Sequence, residues 1–346
     1  MVVLFGSGET SADAQPIHDY ALRRVTPPVR AAVVETPAGF EINSAAVAGR
    51  LAEFLRVRLQ NYRPRVTVVP ARARGTSFSP DDPDVVAPLF DANYIMMGPG
   101  SPSYAVRQLR DSVAWHAIAA RHRQGNPLVL ASAATIAMGT FALPVYEIYK
   151  VGEDLHWKPG LDLFGPYGLS VAFVPHWDNT DGGEELDTSH CFMGRPRFGA
   201  LCSLLPPATT LVGISEHTAL VIDFQEECAR VMGAGQVTVI RDGQERAFAR
   251  RESFSLTDLG ITRVPAPSEG IPPAVLERIA SAEAAAQEAP QPSEEVLALV
   301  AARAKARSDR DWQTADRLRL EIAALGWQVN DAPGGAQVVP VAPPAD

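Results

Sequence analysis

Apolar, β-rich runs alternate with helical patterns through the first half of this chain, and that alternation constrains the fold more than any other feature. "VVLFG" (2–6) meets a glycine turn. "VRAAVVETPA" (29–38) precedes "INSAAVAGRLAEFLRVRL", whose apolar residues recur at helical spacing. "RVTVVPA" (65–71) is a further strand. "ANYIMMGPG" (92–100) ends in a Gly-Pro-Gly turn before "YAVRQLRDSVAWHAIAARHRQG", read as one long helix, and "PLVLASAA" follows. Short buried strands alternating with helices imply a parallel sheet covered on both faces. The pattern predicts an α/β fold, doubly wound around a mostly parallel sheet. Such sheets bind ligands at the carboxyl ends of their strands. Three turns belong at that edge: Gly6-Ser7-Gly8-Glu9, Gly98-Pro99-Gly100-Ser101 and Ala131-Ser132-Ala133.

The second half turns β-rich. "GLSVAFVPHWD" (168–178) reads as a strand ending at a histidine, and "TTLVGISEHTALVID" (209–223) as two strands with a kink at Ser215-Glu216. Asp242-Gly243 in "VTVIRDGQERAFA" is a hairpin signal. Beyond residue 263 the character shifts. We divide the chain into an α/β domain (1–263), a Pro/Ala-rich linker with some helical content (264–292), a helical hairpin (293–332) and a loose tail (333–346). In the hairpin, Leu297, Val300, Ala301 and Ala304 are expected to face Trp312, Ala315, Leu318 and Ile322.

A net charge of −9 argues against a DNA-binding role for the whole chain. Cys191, Cys202 and Cys228 are odd in number and lack metal-ligand spacing, so we expect no metal, no cofactor, no structural disulfide and a cytoplasmic location. "MVVLFGSGET" lacks the basic-then-apolar pattern of a signal peptide, and no apolar run is long enough to cross a membrane.

A serine hydroxyl becomes a useful nucleophile when a histidine takes its proton and a carboxylate holds the other ring nitrogen. Ser132 lies where an apolar run meets small, helix-favouring residues. His176 ends the strand "VAFVP" and should share the rim with Ser132; His190 and His217 compete for the same role. His18, His116, His122 and His156 read as packed or solvated. Glu216, between two apolar runs, needs a partner, which a histidine, a backbone N–H or an arginine could supply; Asp178 is an alternative orienting acid. An oxyanion would need aimed N–H donors, one from Ala133 and one from Gly98 or Gly100, since Pro99 has none.

The glycine turn after the first strand, "GPGSPSYA", the small-Ser-Ala segment, "VPHWD" and "GISEHTALVID" occur in an order and spacing that resembles the dipeptidase E and cyanophycinase family of serine peptidases, over residues 1 to 250. The resemblance implies a class I glutamine amidotransferase-like fold with serine in place of cysteine. It implies Ser132 as nucleophile, His176 as base, Glu216 as acid and the Gly98–Ser101 turn as an oxyanion donor. Short aspartyl or isoaspartyl peptides would be the substrates, with Arg195 and Arg197 holding the aspartyl carboxylate. The family elbow reads Gly-x-Ser-Ala-Gly, whereas Leu130 and Ala134 stand at the flanking positions here, and Pro99 interrupts the glycine turn. Either the elbow is widened and works, or the scaffold is a non-catalytic binding protein with the hairpin as its partner arm. An amidotransferase would need a cysteine at the elbow.

"ARAKARSDRDWQTADRLRLEIAALGWQVNDAPGG" resembles the small C-terminal helical module of cysteinyl-tRNA synthetases through Ala315, Asp316, Arg319, Leu325-Gly326, Asp331 and Gly335. No synthetase zinc or nucleotide motif accompanies it. RNA or protein contact through this hairpin, and a homodimer, remain open at the level of sequence.

Overall fold

A computed structural model describes residues 1–288, 292–332 and 335–340. It divides into two compact units, Met1–Ala280 and Ser281–Asp346.

The first unit is α/β with two sheets. The larger has a parallel core built from β1 (Val2–Phe5), β2 (Arg30–Val34), β3 (Arg65–Val69), β4 (Tyr94–Met97) and β5 (Leu128–Ala131), in the order β1-β5-β4-β2-β3. β1, β4 and β5 are buried at every position, the burial of a sheet covered on both faces. On one face Val3, Phe5, Tyr94, Met96, Val129 and Ala131 pack against the helices Gln15–Leu22 and Ser44–Arg58. The latter turns Val47, Ala48, Leu51, Ala52 and Leu55 inward at helical spacing.

β6 (Phe141–Ala142), β7 (Lys158–Pro159), β8 (Val171–Val174) and β9 (Thr210–Ile214) belong to a second sheet, and β10 (Thr218–Asp223) and β11 (Cys228–Gly233) return to the first. β12 (Val237–Arg241) and β13 (Gln244–Phe248) extend the second sheet and β14 (Ser253–Ser255) edges the first. β12 and β13 form the hairpin signalled by Asp242-Gly243, both at positive φ. β10 pairs antiparallel with β1, while β8 and β9 pair parallel with each other. The kink read at Ser215-Glu216 is therefore a crossing between sheets. Gly6 makes the crossing tight, since a Cβ there would stand 2.1 Å from the Ser215 carbonyl oxygen.

The expected long helix after the Gly-Pro-Gly turn is two helices, Pro102–Leu109 and Val113–Arg123. Asp111 adopts a positive φ between them, and the Ser112 side chain caps the second by accepting from Trp115 N–H. The helix Pro273–Glu288 follows, with Val275 and Ile279 buried.

The second unit holds the helices Glu294–Ser308 and Trp312–Ala324, and an antiparallel ribbon of β15 (Trp327–Ala332) and β16 (Gly335–Pro340). Residues 335–340 are thus paired, where a loose tail was expected; 341–346 and 333–334 lie outside the described residues. The ribbon also corrects the expected packing face. Val296 and Ile322 form the core with Trp327 and Val329, and Leu299 and Val300 pack beside them. Ala301 and Ala304 are exposed, and Trp312 is 57 % exposed. A third apolar layer drew the first helix round by about one position, which a two-helix reading could not anticipate.

Candidate active site

Ser132 stands one residue past β5, at φ 50° and ψ −110°, and the short helix Ala133–Ala137 begins beside it. A non-glycine residue in this region is strained and persists only where its surroundings enforce it. The Ser132 N–H reaches the Phe5 carbonyl at 3.3 Å. The buried Thr135 hydroxyl lies 3.1 Å from the Phe5 and 3.2 Å from the Leu130 carbonyl oxygen, tying the helix to the strand ends. Leu130, the bulky departure from the family elbow, is fully buried in register with Leu4 and Met97. Its side chain is part of the sheet's packing, and the turn still forms with Ala134 fully buried behind it.

His176 follows β8 and Pro175 and also has a positive φ, of 54°. Trp177 N–H donates to the Ile214 carbonyl at 3.1 Å, and Gly213 leaves room for the indole, which a Cβ would approach to 2.3 Å. Cys191 N–H donates to the His176 carbonyl at 3.1 Å and His190 N–H to that of Trp177 at 2.9 Å. Glu216 occupies the crossing between β9 and β10.

The three side chains meet where the two sheets adjoin. Ser132 Oγ lies 2.8 Å from His176 Nε2, and His176 Nδ1 lies 2.9 Å from Glu216 Oε1. Burial works to raise the Glu216 pKa, but hydrogen bonds from His176, Asn179 and Ser7 outweigh it and hold the carboxyl at about 2. An ionised carboxylate only accepts, so Nδ1 carries the proton and Nε2 is left to accept from the serine.

Two contributors escaped the sequence reading. Asn179, buried, donates from Nδ2 to Glu216 Oε1 at 2.9 Å. Ser7, on the first glycine turn, donates to Glu216 Oε2 and accepts from His217 N–H at 3.0 Å. The turn's rim position was legible, but its partner across 209 residues was not. Asp178 accepts from Glu216 N–H at 2.7 Å and so braces the acid's backbone. His190 stacks on Phe198 at 4.4 Å, and His217 is exposed next to Gly8. His18 and His122 are buried, each bonded to a tyrosine hydroxyl.

A cavity of about 230 Å³ opens on Ser132 and His176. Ala133 and Gly100 line it; Gly98 does not, and a Cβ there would strike Leu51 Cδ1 at 2.4 Å instead. Gly100 has φ +148° and lies so close to Pro37 that a Cβ would come 2.0 Å from its carbonyl oxygen. The neighbouring Ser101 N–H donates to that same oxygen at 2.9 Å. Arg195 and Arg197 are exposed on the helix Gly194–Ser203 and are absent from the cavity's lining. The exposed Lys150 is the cation there.

Residues 289–338 match the family described as the cysteinyl-tRNA ligase anticodon binding domain. Over 45 residues the chain is 47% identical to Cysteine--tRNA ligase 1 of Burkholderia lata, covering 13% of this chain and spanning about a tenth of that relative's length, 10%. No helix among the described residues is long and apolar enough to cross a membrane. In its α/β fold the chain is similar to a peptidase from an acI-B1 Actinobacterium, at 20% identity and a TM-score of 0.59 over 74% of this chain and 96% of the other.

Proposed function

We propose that the first unit is a serine peptidase of short peptides. The observation that carries this reading is the unbroken hydrogen-bonded chain from Ser132 Oγ through His176 to Glu216, at 2.8 Å and 2.9 Å, on a positive-φ elbow. Ser132 Oγ attacks the scissile carbonyl and gives its proton to His176 Nε2 as the new C–O bond forms. The imidazolium, held by Glu216, passes that proton to the departing amine, leaving an acyl-enzyme. Water then attacks the ester by the same proton route and restores Ser132. The N–H groups of Ala133 and Gly100 are the oxyanion donors in this scheme. A direct 2.8 Å contact between nucleophile and base favours turnover over a non-catalytic binding role.

The test is a dipeptide panel and a fluorophosphonate probe, applied to the wild type and to Ser132→Ala. The wild type should be labelled at Ser132 and should hydrolyse peptides. The variant should do neither while melting within about 2 °C of the wild type, because a half-buried hydroxyl contributes little to stability. A wild type that is neither labelled nor active would end the reading.

For residues 289–338, the match to an anticodon-binding family supports RNA as the partner. A gel shift of the full chain with bulk tRNA should show a complex, and its absence at micromolar protein would withdraw that assignment.

A further inference from the structure

The lining of the cavity beside Ser132 bears on which side chain the site can seat. In the scheme above the departing amine must face His176 Nε2, to collect its proton. Cys191 and Phe192 adjoin His176 in the lining: Cys191 N–H bonds to the His176 carbonyl, and the Phe192 ring centre lies 5.9 Å from that of the imidazole, so we assign this part of the lining to the departing amine. What remains for the acyl residue is the wall of Pro102, Ala133, Ile136 and Val145, all buried, with Tyr149 beside them.

Besides the imidazole of His176 at the reaction centre, Lys150 is the basic side chain of the lining. Lys150 is exposed, and its ammonium sits 4.9 Å from the centre of the Tyr149 ring, at the mouth. A carboxylate seated against the inner wall would lose its hydration without gaining a buried donor, whereas an aliphatic or aromatic group would lose only unfavourable contact with water. Arg195 and Arg197, the expected carboxylate clamps, are exposed on a helix outside the lining.

We propose that the acyl-side pocket of this site selects an apolar residue of leucine or phenylalanine type, and discriminates against aspartate. The inference rests on the serine peptidase reading, and its test separates the two. Aminoalkyl boronic acids bearing leucine, phenylalanine or aspartate side chains mimic the acyl half of the tetrahedral intermediate. Each is titrated for its ability to protect Ser132 of the wild-type chain from a fluorophosphonate. The leucine or phenylalanine analogue should protect at a concentration at least tenfold below that of the aspartate analogue, and the dipeptide panel should rank the same way in kcat/KM. Labelling of Ser132 with equal or better protection by the aspartate analogue overturns the proposal and leaves the peptidase reading intact. So does labelling that no analogue prevents. Absence of labelling removes the peptidase reading itself.

Discussion

Replacing Glu216 by glutamine tests the assembly where its parts depend most on one another. The carboxylate accepts from His176 Nδ1 and Asn179 Nδ2, each at 2.9 Å, and from Ser7 Oγ. Glutamine keeps the shape but can turn an N–H₂ toward Nδ1. The imidazole proton would then move to Nε2, the atom that must accept from Ser132. The lost charge-assisted bond costs about 1.5–3 kcal/mol once the imidazolium forms, and the wrong tautomer adds to it. In the general Ser-His-Asp case an acid-to-amide change costs about 10⁴-fold. We therefore expect a fall of about 10³–10⁴-fold, or about 4–5.5 kcal/mol in the barrier. The assay is the second-order rate of fluorophosphonate labelling at Ser132, which needs no knowledge of the substrate, beside dipeptide hydrolysis. A variant within tenfold of the wild type in labelling would refute the claim that this carboxylate sets the tautomer of His176. The same substitution has a signature in acid. Glu216 falls from an ordinary value of 4.5 to about 2 in the fold. Its stabilisation is thus complete above about pH 4.5 and lost as pH falls through about 2. With a quarter of the side chain exposed, screening leaves this on the order of 1 kcal/mol. The glutamine variant should lack that part of the acid dependence in urea titrations.

Gly100→Ala should destabilise by about 2 kcal/mol or more and slow labelling of Ser132, because its φ of +148° and the Pro37 carbonyl leave no room for a Cβ. Gly75→Ala, also at positive φ but with open space around it, should cost no more than about 1–2 kcal/mol in the same thermal melts. His18 is buried and neutral, and burial lowers its pKa from 6.5 to about 4. The unfolded chain therefore binds its proton first as pH falls, and stability should decline from pH 6.5 toward 4. Urea titrations of His18→Gln should show a shallower decline over that window.

Much of the site was legible because its residues sit at element ends, and element ends are written locally. Ser132 follows four buried strand residues, His176 follows "VAFVP", and Glu216 lies between two apolar runs. Ser132 and His176 could be placed at a rim from hydrophobic periodicity, whereas the role of Glu216 came from the family resemblance. Asn179 and Ser7 carried no comparable signal. An amide in a polar loop and a serine in a glycine turn are ordinary until a distant carboxylate is brought to them. The arginines show the converse, since a place in the sequence does not fix a direction in space: Arg195 and Arg197 are absent from the lining of the cavity beside Ser132.

The sequence by itself determined the strand–helix alternation, the place of Ser132 at a strand end, the hairpin at Asp242-Gly243 and a helical module at the end of the chain. All of these follow from patterns spanning a few residues to a few turns. Only the tertiary structure decided that the β-rich half splits between two sheets, that Glu216 sits on the strand crossing between them, and that an apolar wall rather than an arginine pair adjoins Ser132. Those outcomes depend on which buried surfaces meet between segments well separated along the chain. Packing energy selects among such meetings, and a one-dimensional pattern does not record the choice.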